Sequence, residues 1–234
     1  MGAIHESLAV AARLIRDLDP HLVGIVTLSL RISITSTFFA ACIGLPLGAA
    51  IAVRRFKARG AVIGTLNALM GMPPVVMGLF VYLMLSRAGP LGALGLLFTP
   101  TAMVVAQTLL IAPIVAALSR QVIEDAWAEY RDQLTSLRAG TLRSALTLLW
   151  DTRFSLLTTI MAGFGRAVAE VGAVIIVGGN IDGVTRVMTT TIALETSKGD
   201  LPLALALGLI LISIVLVLNF STHATREWAR ARFG

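Results

Sequence analysis

The chain has 234 residues, of which 56% are hydrophobic and only 14% charged, with a mean hydropathy of +0.86. A soluble domain of this size carries about one-quarter charged residues, so a water-soluble globule is excluded. The formal net charge of +6 lies largely beside the ends of apolar runs; there it meets anionic headgroups, and it is not the footprint of a nucleic-acid partner.

Residues 1–20 are expected to form an N-terminal interfacial helix. Glu6, Arg13, Arg16 and Asp17 interrupt the stretch too often for a signal peptide, whereas Ile4, Leu8, Ala11 and Ile15 fall on one helical face. Residues 21–221 hold the membrane domain. A hydrocarbon core about 30 Å thick takes roughly 20 mostly apolar helical residues to cross. Five runs meet that demand: residues 22–53, 62–85, 101–118, 154–177 and 201–220. Their unbroken Leu, Ala, Ile and Val content rules out the alternation of a barrel, and an open strand would leave backbone groups unpaired in lipid. The fold class is therefore all-α, a polytopic membrane protein with five transmembrane helices.

Basic residues set the expected orientation, because short cytoplasmic loops are rich in Lys and Arg. Arg54, Arg55, Lys57 and Arg59 cluster after the first run, and Arg226, Arg230 and Arg232 follow the last, in a basic tail over residues 222–234. Both clusters inside place the N-terminus outside and the C-terminus in the cytoplasm. Cys42 is the only cysteine, so no internal disulfide is possible, and His5, His21 and His223 lack metal-ligand spacing.

The polar residues within the runs each carry two readings. Arg166 and Glu170, spaced i and i+4, form either a packing salt bridge or a pair lining a path, and the spacing favours mutual neutralisation. Pro46, Pro73 and Pro74 interrupt helices, as packing kinks or as the broken helices that line transport routes. Ser33, Thr35, Ser36, Thr37, Thr185 and Thr189 to Thr191 supply hydroxyls, which bond their own backbone or offer donors to a passing anion. Arg186 is a candidate cation at the outer mouth. Gly44 and Gly48 allow close helix approach.

The connection over residues 121–153 exceeds the length at which loops are usually functional. Its pattern is helical, with Leu134, Leu137 and Leu142 as an apolar ridge for a groove on a soluble partner and Ala139-Gly140 as the turn between two short helices.

This loop resembles the coupling loop of binding-protein-dependent ABC importer permeases, which docks on the ATPase subunit. Where that family has Glu-Ala-Ala, three residues and Gly, this chain has Asp132, Gln133, Leu134 and then Arg138; Trp150-Asp151 replaces a Leu-Pro pair. Met72-Pro73-Pro74-Val75-Val76-Met77-Gly78, the run from Gly165 to Val174, and Gly178-Gly179-Asn180-Ile181 with Thr185-Arg186 resemble the molybdate-type oxyanion permeases. Residues 185–200 look most like the tungstate branch.

The resemblance implies a type I importer (MetI-like) architecture in the cytoplasmic (inner) membrane and transport of an oxyanion, tungstate first, with molybdate and sulfate as alternatives. It implies as partners two ABC ATPase subunits, an extracytoplasmic oxyanion-binding protein and a second copy of the chain. Asp132, Gln133, Leu134, Leu137, Arg138, Ala139 and Gly140 would couple to the ATPase. Path candidates are Ser33, Thr37, Pro73, Pro74, Arg166, Glu170, Thr185, Arg186 and Thr189.

No Gly-x-x-x-x-Gly-Lys-Ser/Thr segment occurs, and Lys57 and Lys198 are the only lysines. The chain thus has no phosphate loop of its own, and ATP and Mg belong on the partner ATPase. No catalytic residue, cofactor or metal site is expected. A non-transporting membrane scaffold and an ion-gradient carrier are the competing readings.

Overall fold

A computed structural model describes residues 2–233, apart from the side chains of residues 2–4, 226 and 228–233. In chain order it contains α1 (Gly2–Arg16), α2 (Pro20–Val53), α3 (Arg59–Met70), α4 (Pro74–Leu85), a 3-10 turn (Gly92–Leu94), α5 (Pro100–Ser136), α6 (Thr141–Asp151), α7 (Arg153–Val168), α8 (Gly172–Gly178), α9 (Met188–Lys198) and α10 (Leu201–Phe233). No strand occurs among the described residues, as the all-α expectation requires. The tail side chains of Arg226, Arg230 and Arg232, and that of Ile4, lie outside the described residues.

The Asp19-Pro20 pair sets the start of α2. Asp19 Oδ1 accepts hydrogen bonds from the backbone N–H groups of His21 and Leu22, both at 3.0 Å, and Pro20 opens the helix where no N–H partner is lost. At 1.5 Å per residue the 34 residues of α2 reach about 51 Å.

Three helices are each long and apolar enough to cross a bilayer: α2, α5, and α10 from Leu201 to Thr225. The pairs α3 with α4 and α7 with α8 each pass the same test together, bent at a short break, which raises the number of candidate spans to five. The second and fourth runs are therefore not continuous helices. In the second, Pro73 is extended (φ −60°, ψ 127°) and Pro74 starts α4, since a proline disfavours the helical backbone of the residue before it. Conversely, α2 continues through Pro46 and α5 through Pro113, so Pro46 does not end its helix. The third run does not stop at Leu118; its helix continues to Ser136.

The chain forms two compact units. One contains the residues through Thr35, Pro73–Gln107 and Ala167–Asn219; the other contains Ser36–Met72, Thr108–Arg166 and the residues from Phe220 on. In the first, α4 packs on α8 so closely that a Cβ on Gly78 would lie 2.7 Å from Ala173 Cα, and one on Gly172 would lie 2.8 Å from Val75 Cγ2. Val81, Met103, Val174, Val177, Met188 and Leu207 fill its interior.

In the second unit, Ala49, Ala52 and Val53 of α2 meet Ile123, Ala126 and Leu134 of α5, Ala145 and Leu148 of α6, and Leu156 of α7. The small residues Gly44 and Gly48 serve the α2–α5 contact. A Cβ on Gly48 would lie 2.1 Å from Ser119 Oγ, and one on Gly44 would lie 2.8 Å from Val115 Cβ.

Candidate translocation and coupling sites

In the first unit the polar residues gather around the break between α7 and α8. Since α7 ends at Val168, Glu170 stands in the break and not on the helix that carries Arg166. Its buried carboxylate Oε1 accepts the backbone N–H of Ala173 at 3.0 Å, one of the donors that any helix start leaves over. Glu170 thus lies just beyond the helix that carries Arg166, and its carboxylate also anchors the next segment.

An interrupted helix in lipid frees carbonyls that must find donors inside the protein. Three are satisfied by side chains. Gln107 Nε2 donates to Ala167 O at 3.1 Å, Thr189 Oγ1 to Glu170 O at 2.7 Å, and Thr185 Oγ1 to Gly178 O at 2.6 Å. Thr190 Oγ1 donates to Asn180 Oδ1 at 2.8 Å, and Thr191 Oγ1 to Val187 O at 2.7 Å. Thr185 and Thr191 are wholly buried, and Thr189 nearly so. Thr185, Thr189 and Thr191 each donate their one hydroxyl proton to a backbone carbonyl in this structure.

Ser33 is buried in the first unit and Thr37 in the second, while Pro73 is exposed and Pro74 half-buried. Gln107 was not foreseen from the sequence; a lone amide in an apolar run was its signal. Arg31 was missed as well. It is exposed on α2 within a candidate span, where an ionisable side chain is costly unless it reaches water or a partner.

Between α8 and α9, Asp182 is flanked by His21 Nε2 and Arg186 Nη1, both at 3.0 Å. The hydrogen bond with His21 outweighs desolvation and, helped by the lesser effect of the Arg186 charge, holds the Asp182 carboxyl below its ordinary value. Arg186 is thus an ion-paired cation with little of its side chain exposed, rather than a free charge in a loop.

In the second unit the expected loop over residues 121–153 is the end of α5, a tight turn, and α6. The turn closes with Ala139 N–H donating to Leu134 O at 2.9 Å and Arg138 N–H to Thr135 O at 2.9 Å, the paired bonds of a helix stop that places its next residue in the left-handed region. That residue is Arg138, with φ +50°. It is the position at which the resemblance puts a glycine, and glycine is the residue without a steric penalty there.

Asp132, Gln133, Leu137, Arg138 and Gly140 are exposed and Ala139 half-buried. Leu134 is not part of the outer ridge, because its side chain is buried in the core of this unit. The ridge consists instead of Leu137 (78% exposed), Leu142 (71%), Leu146 (57%) and Trp150 (72%). The last three are four residues apart on α6 and share one face. Arg59 braces the region, donating from Nη2 to Glu124 Oε1 at 2.5 Å and from Nε to Ile51 O at 3.0 Å, while Arg120 pairs with the other Glu124 oxygen.

Long apolar helices, with carbonyls at the α7–α8 break held by side chains of the same unit, define a multi-pass helical membrane protein. No family model matches the chain. The chain is 39% identical over 227 residues, 97% of its length and 100% of the relative's, to the tungstate uptake system permease protein TupB of Peptoclostridium acidaminophilum. It is 38% identical to a probable anion ABC transporter permease protein of Haloferax volcanii, covering 92% of this chain and 94% of the relative. It is 42% identical over 158 residues to TupB of Campylobacter jejuni, 68% of this chain and 66% of the relative. The chain belongs to the ABC transporter permease family that contains the tungstate uptake permeases.

Proposed function

We propose that the chain is the membrane-spanning subunit of an ATP-driven importer that carries an oxyanion, tungstate before molybdate or sulfate, into the cell by alternating access. The observation that carries this reading is the end-to-end match to a tungstate uptake permease, with no segment of that relative left uncovered. Each bent helix pair counts as one of five spans in a type I importer (MetI-like) arrangement, with the N-terminus outside and the C-terminus in the cytoplasm. Two copies form the pathway, a binding protein delivers the anion from outside, and two ATPase subunits hold ATP and Mg.

Docking of the ATPase falls to the ridge Leu137, Leu142, Leu146 and Trp150, whose exposure supports it. An apolar stripe on a short amphipathic helix fits a groove on a soluble partner. The cation at the outer end is Arg186, beside Asp182 and His21, with Arg31 about 15 Å further along α2. ATP and the loaded binding protein must favour the same conformer, because a ligand shifts an equilibrium only by its differential affinity.

The test is reconstitution of the chain with its ATPase and binding protein in vesicles, followed by ATP-dependent uptake of tungstate with molybdate and sulfate as competitors. Uptake above permease-free vesicles, strongest for tungstate, is expected. Uptake equal to that control overturns the importer, and preferential uptake of molybdate or sulfate overturns the substrate.

A further inference from the structure

The second unit carries a groove of about 540 Å³ that the transport reading does not use. Phe38, Ala41, Cys42 and Pro46 of α2 form one wall, and Arg153 and Ile160 of α7 stand on the other. Its surface is apolar except at Arg153, which stands at the end where α7 begins. From Arg153 to Ile160 is about 10 Å of helix, and from Phe38 to Pro46 about 12 Å, at 1.5 Å per residue. Half of a 30 Å hydrocarbon core is about 15 Å, so the groove spans most of one leaflet and its cation lies at one end.

That cation is held in place. Arg153 Nη1 donates to Trp150 O at 2.8 Å, and the guanidinium lies 5.1 Å from the centre of the Trp150 ring and 4.7 Å from that of Phe154. The two rings hold the guanidinium at the start of α7, beside the apolar groove. Arg54, Arg55 and Lys57 are exposed just beyond the end of α2, on the side of the proposed cytoplasmic leaflet.

We infer that this groove is a binding site for one anionic glycerophospholipid of that leaflet, with an acyl chain along α2 and α7 and the phosphate against Arg153. The bilayer supplies the occupant of any open apolar groove on a spanning helix, and the single fixed cation selects its charge. An anionic lipid meets Arg153 without bringing an ammonium beside it, so it is preferred over a zwitterionic lipid with the same chains. The inference rests on the chain spanning a bilayer and not on which anion it carries, so failure to take up tungstate leaves it open to separate test.

The experiment is native mass spectrometry of the purified full-length chain offered equal phosphatidylglycerol and phosphatidylcholine with identical acyl chains. One phosphatidylglycerol retained per chain, with about a tenfold preference, is expected. Arg153→Gln should equalise the two lipids, Ala41→Trp should lose both by filling the groove, and the double variant Arg54→Gln/Arg55→Gln should keep the preference. Equal retention by the unaltered chain, a preference surviving Arg153→Gln, or one abolished by the double variant overturns the site. Cys42, the only cysteine, gives a reading that needs no variant: phosphatidylglycerol, but not phosphatidylcholine, should slow its alkylation by a maleimide. Equal rates with both lipids would overturn the proposal.

Discussion

The carboxylate of Glu170 accepts the backbone N–H of Ala173 at 3.0 Å, so one of the two ionisable residues in the fourth apolar run closes the start of α8. The same residue's carbonyl is held by Thr189, so both ends of Glu170 stabilise the break. Glu170→Ala should lower stability by about 1 kcal/mol or more, the range for loss of a helix cap, whereas Glu170→Gln keeps an oxygen acceptor and should retain most of it. Thermal unfolding in detergent measures both, and equal loss in the two variants would show that the negative charge matters beyond the hydrogen bond.

Arg138 sits at φ +50° in the turn between α5 and α6. The left-handed conformation costs a non-glycine residue about 1–2 kcal/mol, part of which glycine returns through its freer unfolded chain. Arg138→Gly should therefore raise stability by about 0.5–1 kcal/mol, roughly 2 °C in Tm for a chain of this size. A lower Tm would mean that the arginine side chain makes a contact worth more than the strain.

The exposed ridge and the buried Leu134 separate two effects of mutation. Leu137→Asp and Leu142→Asp should reduce co-purification of the ATPase while Tm stays within a degree or two, as surface changes usually do. Leu134→Ala should cost about 2 kcal/mol or more of stability by opening a cavity. If Leu137→Asp retains the ATPase in full, Leu137 is outside the interface.

Gly78 has no room for a side chain, because its Cβ would meet Ala173 Cα at 2.7 Å. Gly78→Leu should destabilise the α4–α8 contact by about 1–3 kcal/mol, against little change for Gly64→Leu, where nothing lies within 4 Å. Yield of folded protein by size-exclusion chromatography and Tm report the difference.

Asp182 is held below its ordinary carboxylate value by His21 and Arg186. A depressed folded-state pKa means stability that is present above the unfolded value and is lost as pH falls through the folded one. The Tm of the natural chain should thus exceed that of Asp182→Asn near neutral pH and converge with it below the ordinary value of 3.8. A constant gap across that range would remove the ion cluster as its source.

Much of the fold was legible because a bilayer imposes a simple rule: long apolar runs must be helices. The first and last runs appeared where expected, and the turn at Ala139-Gly140 lies at the end of the observed turn. The breaks were less legible. Pro46 and Pro73-Pro74 look alike in sequence, yet α2 continues through the first and the helix stops at the second. A proline ends a membrane helix only where neighbours can satisfy the freed backbone, and those neighbours are distant in sequence. The hydroxyls followed the same logic: whether Thr185 and Thr189 face a path or a carbonyl depends on where Gly178 and Glu170 come to lie.

By itself the sequence determined that this chain is an all-helical membrane protein, where its apolar runs lie, and that it cannot bind ATP through a phosphate loop, because composition and local pattern decide those properties. The tertiary structure alone decided that Thr189 holds the carbonyl of Glu170, that Leu134 is core while Leu142, Leu146 and Trp150 are left exposed, and that Gly44 and Gly48 pack on α5. Each of these depends on which segments meet, and contacts between residues far apart in the chain leave no mark in local periodicity.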